Sequence, residues 1–545
     1  MTIGKLTRRI MPVALALSFS LSCLAAPYMD DKPYKQPAEL KDWFFKDPAV
    51  ALQTPSVDDA KANFTTQEEL LQFVAKLESG TPHLRVSVLG RSQEGREILM
   101  LSFKKGNAAA KPTVWLQAQV HGNEPAAGES ALAIAQNLAN GSLTQVLDKI
   151  NVIVIPRINP DGSYYFERRT ANKIQDINRD NVKFELPETV IVHQAYNKVK
   201  AEVVLDAHEY SVATNFKDIG SKGHLAYYDL LLLSSTNANV PTEITKLADD
   251  ILIGNAGKEI EQSGHTWHWY YVTAPSQTHA KKVIMADGVP IIGRNAYGLQ
   301  PAISILIETR GIGIGKQDFK RRVASQYITY ASMLRSVADN AATIKDTIAK
   351  ARAEIVAKGN DTSDAATDKI VIRTEPKPIK DFSLKLINLE NNRLVNLPME
   401  GYTNKDYTVT LERVRPYAYI LPAAFKPLAE KLAHSGISVQ KTTAPLMLDV
   451  ESYKVTENKV NQKYFEGHFR NTVKTTVSTS KVWFPSGSYV IYMGQPSANL
   501  AAMCLEPESE ASFVTFNLIA VEKGDTVPTY RLMSQENIQT VAAFK

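Results

Sequence analysis

The stretch TVWLQAQVHGNEPAAGES occupies residues 113–130. Its first half, TVWLQAQV, is an apolar run of the kind that forms a buried strand. The run ends in His121 and Glu124, with glycine and proline packed around them. Core strands normally end in turn residues, and packing asks for neither an imidazole nor a carboxylate at such a point. Two readings are open: a surface loop with solvated side chains, or metal chemistry. The rest of the chain decides between them.

Further apolar runs recur between helical stretches: INVIVIPRI, AEVVLDAH and, later, AISILIE. Short β-rich runs flanked by helices predict an α/β domain with a mixed, largely parallel sheet. In open sheets of this kind, ligands gather at the carboxyl ends of the strands. His121, Asn159, His208 and Glu308 all lie at or just past such ends. That shared placement argues against the solvated loop.

At 545 residues the chain is too long for a single compact core. The segment 28–64 reads as an irregular lead-in. TTQEELLQFVAKLES (65–79) has helical spacing, with Thr65 or Thr66 as N-cap and Glu68 or Glu69 placed for a capping box. Residues 26–345 are read as one domain and 346–368 as a helical linker that ends in the polar break GNDTSDAATD. Residues 369–545 read as a mainly β C-terminal domain, with alternating segments such as YTVTLERV, KTTVSTSKVWF and GSYVIYM and one helix candidate, AAFKPLAEKLAHSG.

The net charge is +5, and Lys5, Arg8 and Arg9 account for three of those charges. No long basic run follows, so nothing points to nucleic acid. The first 25 residues read as a secretory signal peptide: a basic start, an apolar run from Ile10 to Leu21, and small residues before cleavage after Ala25. Lipid attachment at Cys23 is the lesser alternative, because Ser20 is a poor first residue for that motif. Removal of the leader leaves Cys504 alone, so no internal disulfide is expected. A secreted or periplasmic protein without integral membrane contact follows as an expectation.

His121, Glu124 and His208 (in VVLDAHEY) form a set of two imidazoles and one carboxylate. Such a set holds catalytic zinc and leaves a fourth position open. A lone HxxE is weak evidence, and any one of the 10 histidines has a bland alternative as a surface or core residue. Company makes the difference. HGNE (121–124), RINPDG (157–162), RRTANKIQDINRD (168–180), DAHE (206–209) and IETRG (307–311) stand in one order along the chain. In these elements the sequence resembles the zinc carboxypeptidases of the funnelin (M14) family, over roughly residues 60–340.

The resemblance implies one Zn²⁺ per chain on His121, Glu124 and His208, with Glu308 as general base. It implies Arg169 as the group facing the oxyanion, with Arg168 as its competitor. Asn178 and Arg179 match the pair that grips a substrate's terminal carboxylate, and Asp176 matches a partner for a ligand histidine's ring N–H. The tyrosine that caps the carboxylate does not align cleanly. Tyr297 is taken as the candidate, with Tyr270 and Tyr271 as alternatives and core packing as the competing role for each. Arg294 offers an extra contact for an acidic group. The gap between Glu124 and His208 is 84 residues, shorter than in the digestive enzymes, so loops are trimmed. The expected partner is a peptide with a free C-terminus. Two alternatives stay open: an amidohydrolase acting on cell-wall peptides or N-acyl amino acids, and an inactive peptide-binding protein on the same scaffold.

Overall fold

The structure is a computed structural model and describes residues 28–50, 52–58, 60–273, 282–285, 287–363 and 367–544. The expected signal peptide and Cys23 lie outside the described residues. Eight strands build the central sheet: β1 (Leu84–Arg91), β2 (Glu97–Phe103), β3 (Thr113–Ala118), β4 (Asn151–Ile155), β5 (Val203–Ser211), β6 (Leu230–Ser234), β7 (Trp267–Trp269) and β8 (Ile303–Ile312). Their spatial order is β1-β2-β4-β3-β5-β8-β6-β7. The middle four strands, β4, β3, β5 and β8, run parallel; β1 and β2 pair antiparallel on one side, and β6 pairs antiparallel with β8 on the other. This is the mixed, helix-flanked sheet expected from the apolar runs.

Both faces of the parallel strands are covered, which is why those runs are apolar almost throughout. Val203, Leu205, Ala207, Ile303, Ile305 and Ile307 pack on one side with helices Pro125–Asn140 and Phe319–Asp339. On the other side Trp115, Ile153 and Val204 meet the helix Pro187–Val199 through Val192 and Tyr196. The helix Gln67–Ser79 is closed by the capping box, with Thr66 as N-cap and Glu69 as its partner. Thr65 is spent elsewhere: its hydroxyl donates to Glu129.

The polar stretch after residue 316 forms two helices, Phe319–Asp339 and Ala341–Asn360. The second lies across the expected linker, but it is packed in place: Ile344, Ile348, Ala351 and Ile355 are buried.

The residues after 369 are mainly β, as expected, with a helix at Lys426–His434. Position 369 does not separate the sheets, however. Lys282–Met285 pairs parallel with Glu400–Val414, and His224–Ala226 pairs with Ser383–Asn388. Unpaired strand edges of the first segment are thus completed by strands of the second, which removes exposed backbone donors and acceptors. A seven-stranded sheet belongs wholly to the C-terminal part. From it projects a long hairpin, Leu446–Phe465 and His468–Phe484.

Candidate metal centre and cleft

The loop after β3 answers the question posed by its residues. Gly122 sits against the 162–163 backbone, where a Cβ would lie 1.8 Å from the Gly162 carbonyl carbon, so no side chain fits. Pro125 opens the helix Pro125–Asn140, where a missing N–H costs nothing. Asn159 caps the next helix, accepting from the Gly162 N–H at 2.8 Å, and its Nδ2 holds the Arg169 carbonyl at 3.2 Å. The packed glycine and proline thus fix where His121 and Glu124 point.

Strand alternation sorts β5. His208 and Asp206 face the cleft side, whereas Glu209 faces the opposite side, where it pairs with Arg322 and accepts the Ala126 N–H. The register of parallel β5 and β8 sets Glu308 directly beside His208.

His121, Glu124 and His208 converge, all buried, with their ligand atoms within 4.8 Å of one another. The Glu124 carboxylate is 2.7 Å from His121 Nδ1 and 3.0 Å from His208 Nδ1, and the two Nδ1 atoms are 3.1 Å apart. The opposite ring nitrogens are engaged: His121 Nε2 lies 3.0 Å from Asp176, and His208 Nε2 lies 3.2 Å from Asp206. Each ring thus lies between two carboxylates, and with the aspartates taking the Nε2 side, as for ligand histidines, Nδ1 is left as the acceptor. Both Nδ1 lone pairs then face each other and Glu124. A proton or a metal ion among them removes the repulsion, and two imidazoles with one carboxylate are a donor set that fits a divalent metal.

The electrostatics agree. Burial alone would raise Glu124, but His121 and His208 hold its carboxyl down, to about 2. Burial also opposes the charge on Asp176, yet Arg168 and His121 keep it well below the usual carboxylate range. Glu308 is different: burial pushes its carboxyl up, to about 7, against the pull of His208.

Glu308 lines a cleft of about 250 Å³ together with Arg168, Asn178, Arg179, Tyr270 and Arg294. Asn178 is anchored there by the Gly293 N–H, which donates to its Oδ1 at 2.8 Å. Arg179 is half-buried, donates to the Asn178 carbonyl at 2.9 Å, and forms no ion pair among the described residues.

Two expected residues are placed elsewhere. Arg169 turns away from the metal group and pairs with Glu466 at 2.7 Å. Arg168 takes the inward position: its Nε and Nη2 hold Asp176 at 3.0 and 2.9 Å, and its Nη1 lies 3.6 Å from Glu124. Adjacent loop residues point in different directions, and spacing carries no information about which one faces inward. Tyr297 is buried in the core, stacked on His193 at 5.0 Å, with its hydroxyl donating to Gln117 at 3.2 Å. Its ring is consumed by packing; Tyr210, Tyr270 and Tyr271 line the cleft instead, with the Arg294 guanidinium 6.0 Å from the centre of the Tyr270 ring.

Two residues escaped the sequence reading. Asp206 was legible in principle, because a residue two positions before a ligand on a strand shares its face. Glu466 was not. It sits with Gly467 at the tip of the C-terminal hairpin, both at positive φ. There it accepts the Asp176 N–H at 2.6 Å as well as pairing with Arg169, so the hairpin clamps the loop that carries Arg168, Asp176 and Asn178.

The family model described as zinc carboxypeptidase matches residues 70–183 of the chain. Carboxypeptidase 2 of Trichophyton equinum is 31% identical over 86% of this chain and 86% of its own length. Carboxypeptidase 2 of Trichophyton rubrum is 29% identical over 94% of this chain and 97% of its own. Among solved structures, a metallo-carboxypeptidase from Burkholderia cenocepacia is similar at 19% identity and a TM-score of 0.40, covering 50% of this chain and 69% of that one.

Proposed function

The chain belongs to the zinc carboxypeptidase (M14) family and is a metallocarboxypeptidase; from that premise we propose that its metal is a single Zn²⁺ held by His121, Glu124 and His208, and that Glu308 is the general base. The observation that carries this reading is the pair of buried imidazoles whose Nδ1 atoms lie 3.1 Å apart beside the Glu124 carboxylate, with an aspartate against each Nε2. When bound, the ion supplies Lewis acidity for the scissile carbonyl and for the attacking water.

The chain's own groups do the rest. Glu308 takes a proton from the attacking water and returns it to the leaving amine. A carboxyl raised toward neutrality by burial suits both halves of that task. Arg168, steadied by Asp176, directs its remaining N–H groups toward the charge that develops on the carbonyl oxygen. Asn178 and Arg179 receive the substrate's terminal carboxylate, for which a planar guanidinium with an amide beside it is suited. Asp176 and Asp206 hold the ligand rings. Export of the mature chain, beginning at Ala26, is proposed from the leader sequence alone.

The test is metal content against turnover. Purified protein is expected to carry one zinc per chain, to lose activity on chelation and to regain it with Zn²⁺. His208→Ala is expected to lose the metal and the activity together. Full activity after exhaustive chelation would defeat the reading.

A further inference from the structure

Arg294 is the second residue of the short helix Gly293–Gly298 and lines the cleft, yet it is only 1% exposed. Its Nη2 donates to the Asp287 carbonyl at 2.8 Å and reaches Thr236 Oγ1 at 3.5 Å. Its Nε has no hydrogen-bond partner, and no acidic side chain among the described residues forms an ion pair with it. The Asp287 carboxylate, also on the cleft wall, accepts the Val289 N–H at 3.0 Å instead. A guanidinium cannot shed its charge in a protein, and Asp287, Asp206 and Glu308 act on this one only from beyond ion-pair distance, so an anion that reaches it directly is favoured.

The same cleft holds a second guanidinium without an acidic partner, Arg179. A peptide's terminal carboxylate satisfies one of the two. Arg168 is not a third claimant, because Asp176 already pairs with it. Ile292 and Leu306 also line the cleft and give an apolar surface for the methylenes of a side chain. We infer that the cleft selects peptides whose last residue is acidic, with Arg294 receiving the side-chain carboxylate while Arg179 receives the terminal one. This rests on the role given above to Arg179.

The test uses matched peptides that differ only in a C-terminal Glu or Gln, which have the same shape but differ in charge. Wild-type protein is expected to prefer the Glu peptide by about 30-fold or more in kcat/KM, as for a buried charge pair that keeps or loses one partner. Arg294→Met is expected to bring that ratio close to one, and Arg294→Lys to keep part of it. A wild-type ratio near one would overturn the inference without recourse to a variant. So would an undiminished ratio in Arg294→Met. In either case, continued cleavage of the free-acid Gln peptide would leave the carboxypeptidase reading standing. Failure to cleave any free-acid peptide, whatever its last residue, would remove that reading and this inference with it.

Discussion

Arg168 and Arg169 are neighbours in sequence but are assigned opposite tasks, so replacing each by alanine separates them. Arg168→Ala removes the guanidinium that faces the metal group and the cleft. Loss of one preorganised oxyanion donor costs about 10²–10³ in kcat. The same change strips Asp176 of two N–H contacts at 3.0 and 2.9 Å, although that carboxylate keeps His121 and the Asn178 N–H at 2.8 Å. A further stability loss of about 1–2 kcal/mol follows from a buried acceptor left short of donors. Arg169→Ala removes an ion pair at the tip of the hairpin. Its side chain is 36% exposed, and Glu466 keeps the Asp176 N–H, so the loss is about 1 kcal/mol of stability. Turnover is expected to stay within about threefold, since no reacting atom is involved. The assay is kcat and kcat/KM on a free-acid peptide, with each variant first brought to the same zinc content. The reverse ranking, with Arg169→Ala crippled and Arg168→Ala close to wild type, would refute the placement of these side chains.

Glu308→Gln is expected to keep the metal and bind substrate but lose about 10²–10⁴ in kcat, because an amide cannot accept the water's proton; a rate near normal would put the base elsewhere. Glu466→Ala leaves Arg169 and the Asp176 N–H without their shared acceptor. It is expected to lower the thermal midpoint and reduce turnover, with loss of protection from hydrogen exchange centred on residues 168–180. Unchanged exchange there would mean that the hairpin tip rests on the loop without holding it.

The sequence revealed those parts of the site that stand on regular structure. His208 and Glu308 end apolar runs, and strand register brings them side by side. His121 and Glu124 follow a third run across a loop with no room for a side chain at Gly122. Where the choice lay between neighbouring or nearby residues outside the regular strands, the structure places the side chains differently. Nothing in RRTANKIQD states which arginine turns inward, because that is decided by Asp176 on one side and a hairpin tip nearly 300 residues later on the other. Tyr297 follows Arg294 by three positions, but the ring packs on His193 and Tyr196 instead of reaching the cleft. The alternating strands after residue 369 predicted β structure correctly. That two of them complete sheets begun before residue 290 depends on long-range edge pairing, which alternation does not encode.

The central claim is that this cleft removes residues from free C-termini, and the most direct measurement compares a peptide acid with its C-terminal amide. Amidation removes the charge that Arg179 is assigned to receive and leaves the scissile bond untouched. Breaking such a pair costs about 3–5 kcal/mol when both groups are buried, and the half-buried setting of Arg179 lowers that figure. The account predicts a kcat/KM ratio of about 10² or more in favour of the acid, falling toward one in Arg179→Ala, with mass spectrometry showing loss of single C-terminal residues. Equal rates on acid and amide in the wild-type protein, or cuts away from the terminus, would contradict it.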